Sequence, residues 1–181
     1  IIYHGSLALR NPTSRYALNK LLVQNSDSIF IDVNLRPPWY ESRKILTMLE
    51  RAKWAKLNEG ELCELTENEK NNNVFKRTQK LQIKMDLDLV IVTQGAKGAF
   101  ALDNKGDFFE VRPSNNVQIV DTVGAGDAFS SVCILGLTKD WGLYETLYRA
   151  QEFATAIVGQ RGATVKENHF YTKFIKHWLL D

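Results

Sequence analysis

The run DTVGAGDAF at positions 121–129 constrains what this chain can fold into more than any other stretch. Gly124 and Gly126 bracket the small Ala125, Asp127 follows directly, and an apolar run of helix length continues to position 137. A glycine-rich turn that opens a helix leaves its first backbone N–H groups unpaired and pointing forward. Those donors, with the positive end of the helix dipole, suit a phosphate or a developing anion. Asp127 sits at the same turn, where a carboxylate can accept a proton from an attacking hydroxyl. An anion cradle beside a base is the equipment of phosphoryl transfer, in which a protein mainly positions groups and stabilises charge. The run is not a P-loop, because no Lys-Ser or Lys-Thr follows the glycines, and not a dinucleotide fingerprint, because Phe129 stands where the third glycine would fall. A plainer reading stands beside this one: a tight strand-to-helix turn with Asp127 as an ordinary first-turn acid.

Upstream, β-branched apolar segments at 28–33, 53–57 and Leu89–Thr93 read as buried parallel strands. Helical periodicity alternates with them at 14–24, 41–51 and 74–83. The chain opens on an apolar strand running into Gly5. Segments 98–102 and 107–111, separated by Asn104-Lys105-Gly106, read as a hairpin. The signature helix follows, then helices at Leu143–Val158 and 170–180, while the polar 67–73 reads as a surface loop. Strand–helix–strand alternation argues for an α/β domain with a mainly parallel sheet covered on both faces. In such sheets ligands bind beyond the carboxyl ends of the strands, and each remaining polar motif falls at such an end.

DVNLRPPW at 32–39 leaves the 28–33 strand, and its consecutive prolines hold Asn34 and Arg36 on a stiff loop. Arg36 can place a guanidinium fork on a phosphate or sugar oxygen; a turn with locally satisfied Asn and Arg would contain the same residues. KLNEGE at 56–61 follows the next strand. Asn58 and Glu61 share a helix face, where an amide and a carboxylate can position water around Mg²⁺; equally, they can form a capping box. TQGAKG at 93–98 ends the third strand, with Gly95 and Gly98 permitting close backbone approach; Lys97 can reach a phosphate, but reads first as a surface lysine. A turn into the hairpin would need the same glycines.

The 121–129 run resembles the second signature of the phosphofructokinase B (PfkB) type carbohydrate kinases, the ribokinase-like family, whose pattern is DTxGAGD. The resemblance implies a three-layer α/β/α fold with Asp127 as catalytic base. It implies Gly124, Ala125 and Gly126 as an anion hole built from amides, and Asp121 as a contact for a monovalent cation such as K⁺. The 32–38 string is similar to the D-x-N-x-R-P-P segment of bacterial and plant fructokinases, and YHGSLAL at 3–9 to the segment preceding it. Asn34 and Arg36 thereby become substrate or phosphate contacts, and fructose the expected sugar. By the same resemblance Asn58 and Glu61 match an N-x-x-E motif tied to Mg²⁺, and Thr93, Gly95 and Gly98 a segment beside ATP. ATAIVGQRGA at 154–163 resembles the small-residue helix and turn near adenine, which assigns Gly162 and Ala163 to the nucleotide. Two departures stand out: Gln94 where relatives often carry an apolar residue, and no counterpart of the N-terminal part and β lid. The chain therefore reads as a single truncated kinase domain over 1–181, a C-terminal fragment or shortened gene product. The competing expectations are a kinase for ribose, 2-keto-3-deoxygluconate or a nucleoside, and a non-catalytic nucleotide-binding or scaffold remnant. The full-length protein is expected to form a homodimer.

Composition sets outer bounds. At 181 residues the chain can bury a core, and its net charge of +2 carries no field that implies nucleic acid. No apolar run approaches the roughly 20 residues a membrane-spanning helix needs. Cys63 and Cys133 are far apart and unaccompanied, which argues against disulfide or zinc and for reduced, buried thiols in a cytoplasmic protein. His4, His169 and His177 read as structural or surface residues.

Overall fold

The structure, a computed structural model, describes residues 1–24, 28–67, 73–114 and 118–180. The chain divides into two compact units, Ile1–Glu110 and Val111–Asp181.

The first unit is built on strands β1 (Ile2–Gly5), β2 (Ile29–Asp32), β3 (Trp54–Asn58), β4 (Leu89–Thr93), β5 (Ala99–Asp103) and β6 (Phe108–Val111). They lie in the order β1-β2-β3-β4-β5-β6 in one mixed sheet. The first four run parallel, and β5 turns back antiparallel to β4. Helices α1 (Pro12–Gln24), α2 (Ser42–Leu49), and the pair α3 (Glu59–Leu65) and α4 (Val74–Met85) fill the three crossovers. Successive right-handed crossovers that always step in the same direction put their helices on one face of the sheet. The core agrees: Ile31, Leu57, Val92 and Phe100 from that face pack with Leu49, Leu62, Leu81 and Met85 from the helices. Phe30 and Ile91, which point the other way, are also fully buried, as the near-continuous apolar runs of parallel strands require.

Element ends moved by one to three residues from the periodicity-based expectation, several for identifiable reasons. α1 starts at Pro12 rather than 14 because proline is preorganised for the first helical position, and the Asn11 side chain accepts from the Thr13 N–H at 2.8 Å. α4 runs on to Met85 and stops where Asp86 turns left-handed, at φ 54°. Beyond β5 the hairpin turns at Gly106, φ 88°, with the Asp103 carboxylate accepting from the Lys105 and Asp107 N–H groups. Most of the 67–73 loop lies outside the described residues.

In the second unit, α5 (Ala125–Thr138) packs against α6 (Leu143–Val158). The helices approach tightly at Gly136, where a Cβ would meet Thr146 Oγ1 at 2.4 Å. α7 (Asn168–His177), expected to reach position 180, ends at His177 and Leu179 turns left-handed. Phe153 of α6 packs with Phe170, Phe174 and Trp178. The Arg149 guanidinium lies 4.0 Å from the Trp141 ring centre and pairs with Glu145. Among the described residues no helix is long and apolar enough to cross a membrane.

One expectation about the thiols is corrected. Cys133 is buried, but Cys63 is exposed; α3 turns Glu61, Leu62 and Leu65 inward, and the helical repeat then carries Cys63 to the outside.

Gly136→Val should lower the stability of the protein by about 2 kcal/mol, as overpacking of a tight core contact does. Gly142→Ala, where a Cβ meets nothing within 4 Å, should cost only about 0.5–1 kcal/mol, the loss of a favourable N-cap residue of α6. Chemical denaturation of the two variants against the parent separates these outcomes.

Candidate active site

In the first unit the polar motifs gather at the carboxyl edge of the parallel strands. Asp32 and Lys56 are register partners, as are Asn58 and Thr93, so the loops that follow β2, β3 and β4 leave the sheet at neighbouring levels. The ladder ends with the Val33 N–H donating to the Lys56 carbonyl at 2.9 Å. Asn34 then takes φ 42°, a left-handed conformation that asparagine tolerates better than most residues. Its carbonyl accepts from Ser6 Oγ at 3.0 Å. Arg36 is exposed, and its guanidinium makes no hydrogen bond or ion pair among the described residues, so it is available to an anion.

Asn58 is the N-cap of α3, and the capping box anticipated from its spacing is formed. Its Oδ1 accepts from the Glu61 N–H at 2.9 Å, and Glu61 Oε2 accepts from the Asn58 N–H at 2.8 Å. The second Glu61 oxygen, Oε1, accepts from the Leu35 N–H of the neighbouring loop at 2.8 Å. Glu61 is 9% exposed, and desolvation raises its pKa although both backbone donors favour the charged form. No group of three or more His, Cys, Asp or Glu side chains forms a metal cage among the described residues. Each Glu61 oxygen nonetheless keeps a lone pair beyond its backbone donor, which suits a Mg²⁺ ion that retains its waters.

After Thr93, Gly95 (φ 57°) and Gly98 (φ 103°) take conformations that disfavour a side chain. The Gln94 amide, the residue out of pattern with the family, donates to Glu59 Oε2 at 3.0 Å and ties this turn to the start of α3. Lys97 is exposed, with Glu59 4.0 Å away. Ser6, Lys56, Glu59 and Gln94 were not singled out for these contacts from the sequence. Lys56, a charge inside a buried strand, and Gln94, out of pattern with the family, carried a visible signal.

In the second unit, the turn at 121–127 and the turn at 161–163 are fastened together. Asp121 Oδ1 accepts from the Val123 N–H at 2.9 Å, and Oδ2 from the Gly162 N–H at 3.0 Å. These bonds, the Val123 N–H first, lower the Asp121 pKa. Gly124 is the N-cap of α5 with φ 83°, and a Cβ there would lie 2.6 Å from Ala163 Cα and 2.9 Å from Ala163 O. Gly124, Gly162 and Ala163, all named from the sequence, therefore belong to one contact. The Ala125 N–H is taken by the Thr122 carbonyl at 3.3 Å, and Ala128 bonds back to Gly124. The Gly126 and Asp127 N–H groups have no acceptor among the described residues, and the Asp127 carboxylate is exposed beside them. That is a helix N-terminus with free donors and a free base.

Gly124→Ala should be destabilising by more than the ~1–2 kcal/mol of a left-handed alanine, since the added methyl also strikes Ala163; urea denaturation measures it. The Asp121 contribution has a defined sign. Its folded pKa lies below the ordinary 3.8, so the stability it adds is present above that pH and is lost as pH falls through the lowered value. A carboxyl ¹³C titration of Asp121 should give a midpoint below 3.8, and Asp121→Asn should flatten the acid limb of the stability profile.

Residues 1–169 match the family described as pfkB family carbohydrate kinase. The chain is 31% identical over 170 residues to fructokinase-2 of Oryza sativa subsp. japonica, covering 86% of this chain and 48% of that protein. The structure of Vibrio cholerae fructokinase with fructose, ADP and calcium superposes with a TM-score of 0.75 at 26% identity, over 94% of this chain and 59% of that one. Aminoimidazole riboside kinase from Salmonella enterica, complexed with aminoimidazole riboside and an ATP analog, gives 0.72 at 26% identity over 95% and 61%. The chain spans about half the length of the curated relatives it matches, 48% and 51% for the first two. The six-stranded mixed sheet with its helices is the ribokinase-like α/β fold expected from the motifs. With the family match spanning residues 1–169, nearly its whole length, the chain belongs to the pfkB family of carbohydrate kinases.

Proposed function

We propose that this chain is the nucleotide-binding and catalytic part of an ATP-dependent sugar kinase, one domain over 1–181, with fructose as acceptor. The observation that carries the reading is the start of α5, where free Gly126 and Asp127 N–H groups stand beside an exposed Asp127 carboxylate. Asp127 takes the proton of the sugar hydroxyl as it attacks, and the Gly126 and Asp127 N–H groups, presented by the Gly124–Gly126 turn, stabilise the charge on the transferring group. Asn34 and Arg36 hold the sugar or its phosphate, Arg36 through its unpaired guanidinium. Thr93, Gly95, Gly98, Gly162 and Ala163 line the nucleotide, their glycines allowing the backbone to approach it. Asn58 and Glu61 hold Mg²⁺ through its waters, and the ion, when bound, neutralises phosphate charge. A K⁺ ion at Asp121 would share oxygens that already accept backbone N–H groups. The protein acts in the cytoplasm, without nucleic-acid or membrane partners, and the full-length form is a homodimer.

Fructose is favoured by the 32–38 and 3–9 segments and by the fructokinase relatives. A ribosyl acceptor is the second reading, because a protein with an equally similar fold is complexed with aminoimidazole riboside. ADP release with Mg·ATP and either acceptor distinguishes them. Fructose should be the better substrate, and Asp127→Asn should reduce turnover by about 10²–10⁴-fold, the usual worth of a general base, with nucleotide affinity unchanged. Turnover that survives the substitution would remove Asp127 from the chemistry.

A further inference from the structure

Lys56 stands in a buried strand, where a charge needs a reason. Its Nζ lies 2.6 Å from Asp32 Oδ2, and each side chain is 6% exposed. Taking two charges out of water costs about as much as their attraction returns, so such a pair is weak evidence for stability, and its best-attested use is to specify register. The placement here fits that use. Asp32 and Lys56 are Cα partners at the carboxyl ends of adjacent parallel strands, each two residues before a motif asparagine, Asn34 and Asn58. The approach around Asp32 is close, since a Cβ on Gly5 of β1 would lie 3.1 Å from the Asp32 carbonyl. The Tyr3 hydroxyl reaches Asp32 Oδ2 at 3.4 Å. Directly beyond the pair, the Leu35 and Asn58 N–H groups converge on the two oxygens of Glu61. A slip of β2 against β3 by one residue would move Leu35 by about 3.3 Å, beyond hydrogen-bond reach.

We propose that the Asp32–Lys56 ion pair is a positioning device. It locks the carboxyl ends of β2 and β3 in register so that Glu61 can bridge the loop of Asn34 and Arg36 to the turn of Asn58. Asp32 and Lys56 touch no ligand in this role; they act through the loops. The structural part stands by itself, and only its consequence for ligand binding rests on the kinase reading.

The test is amide hydrogen exchange by NMR on the full chain, in the parent and in the neutral double variant Asp32→Asn/Lys56→Met, which strands no single charge. The Leu35 and Asn58 amides should exchange about tenfold faster or more, the equivalent of ~1.4 kcal/mol, while Ile91 and Ala101 in β4 and β5 change much less. Lys56→Arg, which keeps the pair, should leave the pattern at Leu35 and Asn58 as in the parent. The Mg·ADP dissociation constant should rise in the double variant in parallel with the exchange. Leu35 and Asn58 amides that keep their protection, or that lose it only in step with Ile91 and Ala101, would overturn the proposal by reducing the pair to a general contribution. Faster local exchange with unchanged Mg·ADP affinity would uphold the positioning role and instead remove Asn58 and Glu61 from the Mg²⁺ site.

Discussion

The Glu61 carboxylate joins two loops that leave different strands, and the geometry of the first unit's site follows from that junction. Oε1 holds the Leu35 N–H and Oε2 the Asn58 N–H. Hydrogen bonds of charged groups contribute about 1.5–3 kcal/mol, and a buried donor left without its acceptor costs a comparable amount. Burial works against the ionised carboxyl, as the upward shift of its pKa shows. The side chain is therefore held where desolvation and bonding oppose each other. Such a group keeps its place only if the backbone donors arrive in fixed positions, which returns the problem to the alignment of β2 and β3.

The second unit applies the same physics in the reverse sense. Asp121 engages two backbone donors, those of Val123 and Gly162, and Gly124 permits a backbone approach to Ala163 that a side chain would prevent. With the turn fastened from behind, the donors at its front are left unpaired. The Gly126 and Asp127 N–H groups are among the four at a helix start that have no intrahelical partner. Among the described residues neither a side chain nor the preceding loop supplies an acceptor for these two. Each unit thus spends some backbone donors on rigidity, and in the second two others stay unpaired among the described residues.

Much of this was legible in the chain. Period-two and apolar-run patterning located the parallel strands and the hairpin, and the 121–127 run placed a glycine turn at a helix start, because those are local properties of residue type and spacing. The spacing of Asn58 and Glu61 announced the capping box for the same reason. The bond from Glu61 to Leu35, the pairing of Lys56 with Asp32 and the link from Gln94 to Glu59 were not legible. They join residues 26, 24 and 35 positions apart, and nothing in local sequence reports which strands become neighbours.

The amino-acid sequence by itself determined the α/β class, the family and the identity of the residues at each strand end, since glycine, proline and capping preferences act within a few residues. Tertiary structure alone decided which donors are used up and which stay free. It also decided that Gly124 must lie against Ala163 and that a lysine in a buried strand is matched by an aspartate on the next. Those outcomes depend on strand register and on desolvation, and both exist only once distant segments have packed together.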